Sequence, residues 1–371
     1  MSRKATAEIE SLLAEALASH RAGNFPQAER RYAGILEIEA ANPQALTLFG
    51  TLRAQQGDFQ EAVRLLGRSL NIEPRQPFAL NSLGNALNAM KRHEDAIAQY
   101  ERAIRLKPDH VAYTNRGNAL AELNRHAEAL KSYDKAIALD ANYAEAYSKR
   151  GDVLRELKRS EEAILSYDAA LARRSGFAQD HFGRALALQA SGRTDLAIVA
   201  YDEAIGHRAD FAEAYNNRGN ALASLERYQE AVDSYGEAIR LRPDYAEAWN
   251  NRGNALRALD RIPDTLEHYE KAISLNGKYM MAHYNCGITL RSLGRHEEAL
   301  AHLQSAAALD PDFADSQIQC GHMLRAFNRP RDALASYDRA IKADVGNAEI
   351  HRYRGDLLRK LNRYDEAVKS Y

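Results

Sequence analysis

Small, apolar and polar positions recur along the chain at an interval of 34 residues, far longer than the period of any single element. The octapeptide YNNRGNAL begins at Tyr215 and WNNRGNAL at Trp249. Their glycine is a marker that recurs at Gly50, Gly84, Gly117, Gly151, Gly219, Gly253, Gly287, Gly321 and Gly355, with one step of 33, while Ala16 and Ala185 stand in its place in two further units. Twelve residues after the marker comes alanine, from Ala28 to Ala367, with Thr265 the exception. Four residues further comes tyrosine, replaced by leucine at Leu66 and Leu303. Self-similarity at such a period is the signature of one supersecondary unit stacked many times.

Within a unit the spacing is helical. Leu222 follows Gly219 by three residues, and Ala231, Tyr235 and Ala238 fall at i, i+4 and i+7. A stop splits each unit: Gly23, Gly57, Gly192 and Gly294, or Asn124, Asn328 and Asn362, share one register position. Both residue types tolerate the left-handed conformation that ends a helix. Pro26, Pro263 and Pro330 follow where a first helical turn needs no N–H. Each unit therefore reads as helix, tight turn, helix, loop. A glycine inside a helix costs roughly 1 kcal/mol against alanine, so the marker needs a reason. Small residues let two backbones approach, and the tyrosine fills the space between units. One helix pair cannot bury this face alone; stacked neighbours can.

The pattern resembles the tetratricopeptide repeat, marked by a small residue at position 8, Ala at 20, an aromatic at 24, Ala at 27 and Pro at 32. The resemblance implies an all-α fold, an α-solenoid wound as a right-handed superhelix. Ten full units are expected, starting near residues 9, 43, 77, 110, 144, 178, 212, 246, 280 and 314, with a partial unit from 348 and a leader over residues 1–8. One departure is regular. Where the family often has leucine at position 7, this chain carries Arg116, Arg150, Arg184, Arg218, Arg252 and Arg354, expected to snorkel from the helix pair.

Composition narrows the function. A net charge of −1 argues against nucleic-acid binding through bulk positive charge, and RNA reading by helical repeats calls for more varied code positions than these asparagines. No apolar stretch is long enough to span a membrane, and the amphipathic start has no signal-peptide core. Two cysteines fit a reducing compartment, so a cytoplasmic location is expected. The chain closes on Tyr371 at position 24 of its last unit, without a polar cap, which reads as the N-terminal part of a longer protein.

The catalytic motifs are missing: no phosphate-cradling glycine loop, no HExxH, no nucleophile elbow, and no cofactor site. His283, Cys286, Cys320 and His322 are the one group with zinc-ligand chemistry. The cysteines share a repeat position in adjacent units, which sets them roughly 8–10 Å apart and makes buried apolar cysteines the favoured reading.

In this family the first helices line the concave groove. Asn115, Asn217, Asn251 and Asn285 take position 6, Asn85, Asn118, Asn220 and Asn254 position 9, and Asn81, Asn216 and Asn250 position 5. Asparagine is a mediocre helix former, so its repeated use calls for an explanation. Its amide both donates and accepts, and a row of amides can hold an extended peptide by its main chain. The rows resemble the asparagine ladder of the repeat arm in O-linked N-acetylglucosamine transferases and their SPINDLY-like relatives, broken here by Lys149, Gly183 and Gln319. Position 12 adds Arg257, Arg291 and Arg325 in consecutive units, with Arg155 and Arg359, either as a positive stripe for acidic groups or as a solvated face. The expected function is a scaffold that binds partner proteins or extended peptides in its groove. The alternative is the substrate arm of a larger glycosyltransferase whose catalytic domain lies beyond residue 371.

Overall fold

A computed structural model describes residues 3–371, with side chains from residue 8 onward. Among the described residues there are 22 helices and no strand. The chain divides into two compact units, Met1–Gly192 and Arg193–Tyr371. The first holds α1 (Arg3–Arg21), α2 (Phe25–Ile38), α3 (Pro43–Gln55), α4 (Phe59–Ile72), α5 (Pro77–Ala89), α6 (His93–Leu106), α7 (His110–Glu122), α8 (His126–Leu139), α9 (Ala144–Glu156), α10 (Ser160–Leu171) and α11 (Ala178–Ala190). The second holds α12 (Thr194–His207), α13 (Ala212–Ser224), α14 (Tyr228–Leu241), α15 (Ala246–Ala258), α16 (Ile262–Leu275), α17 (Met280–Ser292), α18 (His296–Leu309), α19 (Ala314–Ala326), α20 (Pro330–Ala343), α21 (Ala348–Lys360) and α22 (Tyr364–Ser370). Of the expected leader, residues 1 and 2 lie outside the described residues. Residues 3–8 belong to α1, since nothing in RKATAE breaks a helix.

Odd-numbered helices are the first of each pair and even-numbered the second. Inside each compact unit a first helix packs on the second helices before and after it, and more lightly on the next first helix, as α7 does on α9 and α13 on α15. Each compact unit is thus an all-α solenoid of helix-turn-helix pairs.

The turn within a pair is left-handed. Gly23, Gly57, Gly192 and Gly294 have φ between 74° and 84°, and Asn124, Asn328 and Asn362 between 56° and 58°. Lys91, Lys158, Glu226 and Asp260 take the same conformation at φ 57–60°, although their side chains gave no sign of it in the sequence. The tertiary packing of the two helices overrides their local preference.

The marker glycine touches the tyrosine of its own pair. A Cβ on Gly253 would lie 2.6 Å from Cε1 of Tyr269, and one on Gly117 2.5 Å from Cε1 of Tyr133. Where leucine replaces tyrosine the contact persists, with Leu66 Cγ 2.8 Å from a Cβ on Gly50. Tyr32, Tyr100, Tyr133, Tyr167, Tyr201, Tyr269 and Tyr337 are among the largest fully buried side chains.

The position-7 arginines do more than snorkel. Arg116, Arg150 and Arg354 bridge the second helix of their own pair and that of the preceding pair, while Arg184 and Arg218 reach an aspartate on the preceding second helix. Arg150 donates from Nε to Asp134 at 2.9 Å and from Nη1 to Ser166 at 2.7 Å. Arg116 binds Glu101 and Ser132, Arg184 binds Asp168, Arg218 binds Asp202, and Arg354 binds Asp338. These half-buried ion pairs staple one pair to the next.

Candidate functional site

The position-9 side chains sit on the first helices directly over the buried tyrosines, fifteen residues before them. Tyr100 donates its hydroxyl to Oδ1 of Asn85 at 2.8 Å, Tyr133 to Asn118 at 2.9 Å, Tyr235 to Asn220 at 2.8 Å and Tyr269 to Asn254 at 2.7 Å. Aspartate serves equally: Tyr167 donates to Asp152 and Tyr371 to Asp356, both at 2.8 Å. In the pair built on Tyr337, Nδ1 of His322 meets the hydroxyl at 2.9 Å. Burial pushes the Tyr269 and Tyr337 phenols up to about 12, so the hydroxyls stay protonated. A hydroxyl that donates to Oδ1 fixes the flip of the amide and turns Nδ2 away from the ring. Nδ2 of Asn118, Asn220 and Asn254 makes no hydrogen bond among the described residues, and all three side chains are partly exposed.

The asparagines at positions 5 and 6 join neighbouring first helices. In the unit Arg193–Tyr371, Asn285 donates to Asn250 at 3.0 Å, Asn250 to Asn251 at 3.3 Å, and Asn251 to Asn216 at 3.3 Å and Asn220 at 3.1 Å. Asn216 completes the chain with a 3.3 Å bond to Glu247. Asn216, Asn250 and Asn285 are buried, at 1%, 3% and 5% exposure. Their amides are spent on holding α13, α15 and α17 together. Asn217 donates to its own helix, to Glu213 O at 2.8 Å, and keeps Oδ1 clear. In the other unit Asn115 donates to Asn81 at 3.2 Å. The sequence expectation treated all these asparagines alike; the fold divides them by depth.

The position-12 arginines also divide. Arg257 and Arg325 are exposed on α15 and α19, whereas Arg291 donates to Oε1 of Gln319 on the next first helix. In the unit Met1–Gly192, Asn118, Lys149, Asp152 and Glu156 line a pocket of about 510 Å³ over Tyr133, between α7 and α9.

His283, Cys286, Cys320 and His322 do not converge. Nδ1 of His283 faces His302 Nδ1 at 3.1 Å, His322 is held by Tyr337, and both cysteines are free and buried. Burial raises the thiols to about 12 for Cys286 and about 11 for Cys320, the wrong direction for thiolate ligands. Among the described residues no group of three or more His, Cys, Asp or Glu is placed to hold a metal ion. No described helix is long and apolar enough to cross a membrane.

Family models described as TPR repeat or tetratricopeptide repeat match residues 77–110, 117–158, 144–176, 219–260, 244–312 and 321–371. No curated protein matches the sequence significantly. A solved structure of Pseudomonas aeruginosa PilF is similar in fold, with a TM-score of 0.51 and 20% identity, over 57% of this chain and 97% of that one. MamA aligns at 25% identity and a TM-score of 0.41, over 46% of this chain and 94% of its own. YrrB, described as a TPR protein with an unusual peptide-binding site, aligns at 24% identity and a TM-score of 0.41, over 50% and 95%.

Proposed function

Because the chain is built of tetratricopeptide repeats, we propose that it is an interaction scaffold whose first helices hold an extended peptide segment of a partner protein by its main chain. The observation that carries this reading is the locked amide at position 9. Asn220 and Asn254 each give Oδ1 to a buried tyrosine, which leaves Nδ2 oriented toward a ligand carbonyl without loss of side-chain entropy on binding. Asn217 offers a carbonyl oxygen beside them for a ligand N–H. Arg257 on α15, the helix of Asn254, and Arg325 on α19 have exposed guanidinium groups that favour acidic side chains in the bound segment.

An array of immobilised extended peptides of varied sequence, probed with the full chain, tests this. Main-chain recognition is expected to give binding that survives scrambling of a bound peptide and that favours acidic members. Binding confined to one strict order of side chains, or none at all, contradicts it.

A further inference from the structure

Arg252 breaks the stapling pattern of its equivalents. In Arg150, Arg184, Arg218 and Arg354 the Nε–H meets an aspartate sixteen residues back, at 2.9, 2.6, 2.6 and 2.6 Å. Sixteen residues before Arg252 the chain has Gly236, in the middle of α14. Nε of Arg252 is buried with no hydrogen-bond partner among the described residues. A Cβ on Gly236 would stand 3.6 Å from Nη2 and 3.9 Å from Nε, so the space beside the guanidinium is where the carboxylate of the other pairs sits.

The guanidinium is nevertheless held in place. His268 donates from Nδ1 to the carbonyl of Asp264 at 2.7 Å, which leaves Nε2 as the acceptor for Nη1 of Arg252 at 3.2 Å. Trp249 stands behind, its ring 5.2 Å from that of His268 and its Nε1 bonded to Pro243 O at 2.9 Å. A fixed, half-buried cation with an unmet donor, facing a glycine where its equivalents face a carboxylate, is the arrangement that binds an anion.

We propose that Arg252 is a binding site for a carboxylate of another chain, seated over Gly236 in the position the repeat elsewhere fills with its own aspartate. The equivalent guanidinium groups are all matched to carboxylates. The charged groups that influence Arg252 are Arg261, which is paired with Asp264 at 2.7 Å, and Asp233 and Glu267; the balance is negative and favours a monoanion over a phosphate dianion. The site lies at the seam of α14, α15 and α16 and stands independently of the asparagine face.

The chain has one tryptophan, Trp249, so its fluorescence reports on this seam. The full chain is titrated with sodium acetate against matched sodium chloride, following fluorescence and thermal midpoint. Wild type is expected to give a saturable acetate-specific change in both. Gly236→Asp supplies its own carboxylate, so its midpoint should rise without acetate and its acetate response should vanish. Arg252→Gln should bind more than about tenfold more weakly. Two blocked peptides, one with an internal aspartate and one with a free C-terminal carboxylate, then show which source the site takes. Acetate acting no differently from chloride on wild type, or acting on Gly236→Asp as on wild type, would overturn the proposal. A site that takes acetate but neither peptide would overturn its assignment to another chain.

Discussion

The hydroxyl of Tyr269, buried between helices, donates to Oδ1 of Asn254 at 2.7 Å on the face of α15. Asn254→Ala leaves that hydroxyl without its partner in the interior. It is expected to cost about 1–3 kcal/mol in denaturant unfolding. Asn254→Asp keeps the acceptor, as Asp152 does for Tyr167, and is expected to stay within about 0.5 kcal/mol of wild type. Equal losses in the two variants would show that the bond contributes nothing.

Two glycine-to-alanine changes should have opposite signs. At Gly253 the added Cβ would lie 2.6 Å from the Tyr269 ring, so the stack must shift, at about 1–3 kcal/mol. At Gly236 the nearest atom is 3.6 Å away, and alanine should stabilise α14 by roughly 0.5–1 kcal/mol. Denaturation midpoints of the two variants, run side by side, check both.

The left-handed turn residues invite a third substitution. Lys158 and Glu226 hold φ at 57° and 59°, where a side chain is strained and glycine is not. Lys158→Gly and Glu226→Gly are each expected to stabilise by roughly 0.5–1 kcal/mol. A loss in either, measured by thermal unfolding, would mean that the long side chain earns its place through contacts of its own.

Acid should destabilise the unit Arg193–Tyr371. Burial holds His268, His302 and His322 below the usual imidazole range, with the charge of His283 adding to the effect at His302. The folded state therefore binds fewer protons than the unfolded one. The stability these groups confer is complete above the unfolded pKa of about 6.5 and is lost as pH falls below it through the folded values. The thermal midpoint is expected to drop between about pH 7.5 and about pH 5, less steeply in His302→Gln. A midpoint independent of pH over that range would contradict this reading.

The repeat made the helix pairs, their turns and the glycine–tyrosine contact legible, because each depends on residues of one unit at fixed spacing. The role of Asn85, Asn118, Asn220 and Asn254 was less so, since asparagine on a first helix suits both a ligand and a buried phenol. A signal was present all the same: where leucine replaces tyrosine, at Leu66 and Leu303, position 9 carries Thr51 and Ile288 in place of Asn or Asp. Tyr32 and Tyr201 depart from the pattern, with Leu17 and Leu186 at that position, and the Tyr32 hydroxyl faces His20 at 3.2 Å. The depth of Asn285 was not legible, because it depends on how closely α17 approaches Asn250 on α15. Nor was the isolation of Arg252, which follows from a partner sixteen residues away in the preceding pair.

The measurement to make is the affinity of an array-selected peptide for wild type and for the Asn220→Asp, Asn254→Asp double variant. Both substitutions preserve the tyrosine acceptors and turn the outward donors into charged acceptors, so the selected peptide is a neutral one. Binding weakened by at least about tenfold, with unfolding unchanged, is the expected result. Equal affinity in the two proteins would mean that the locked amides do not hold the peptide.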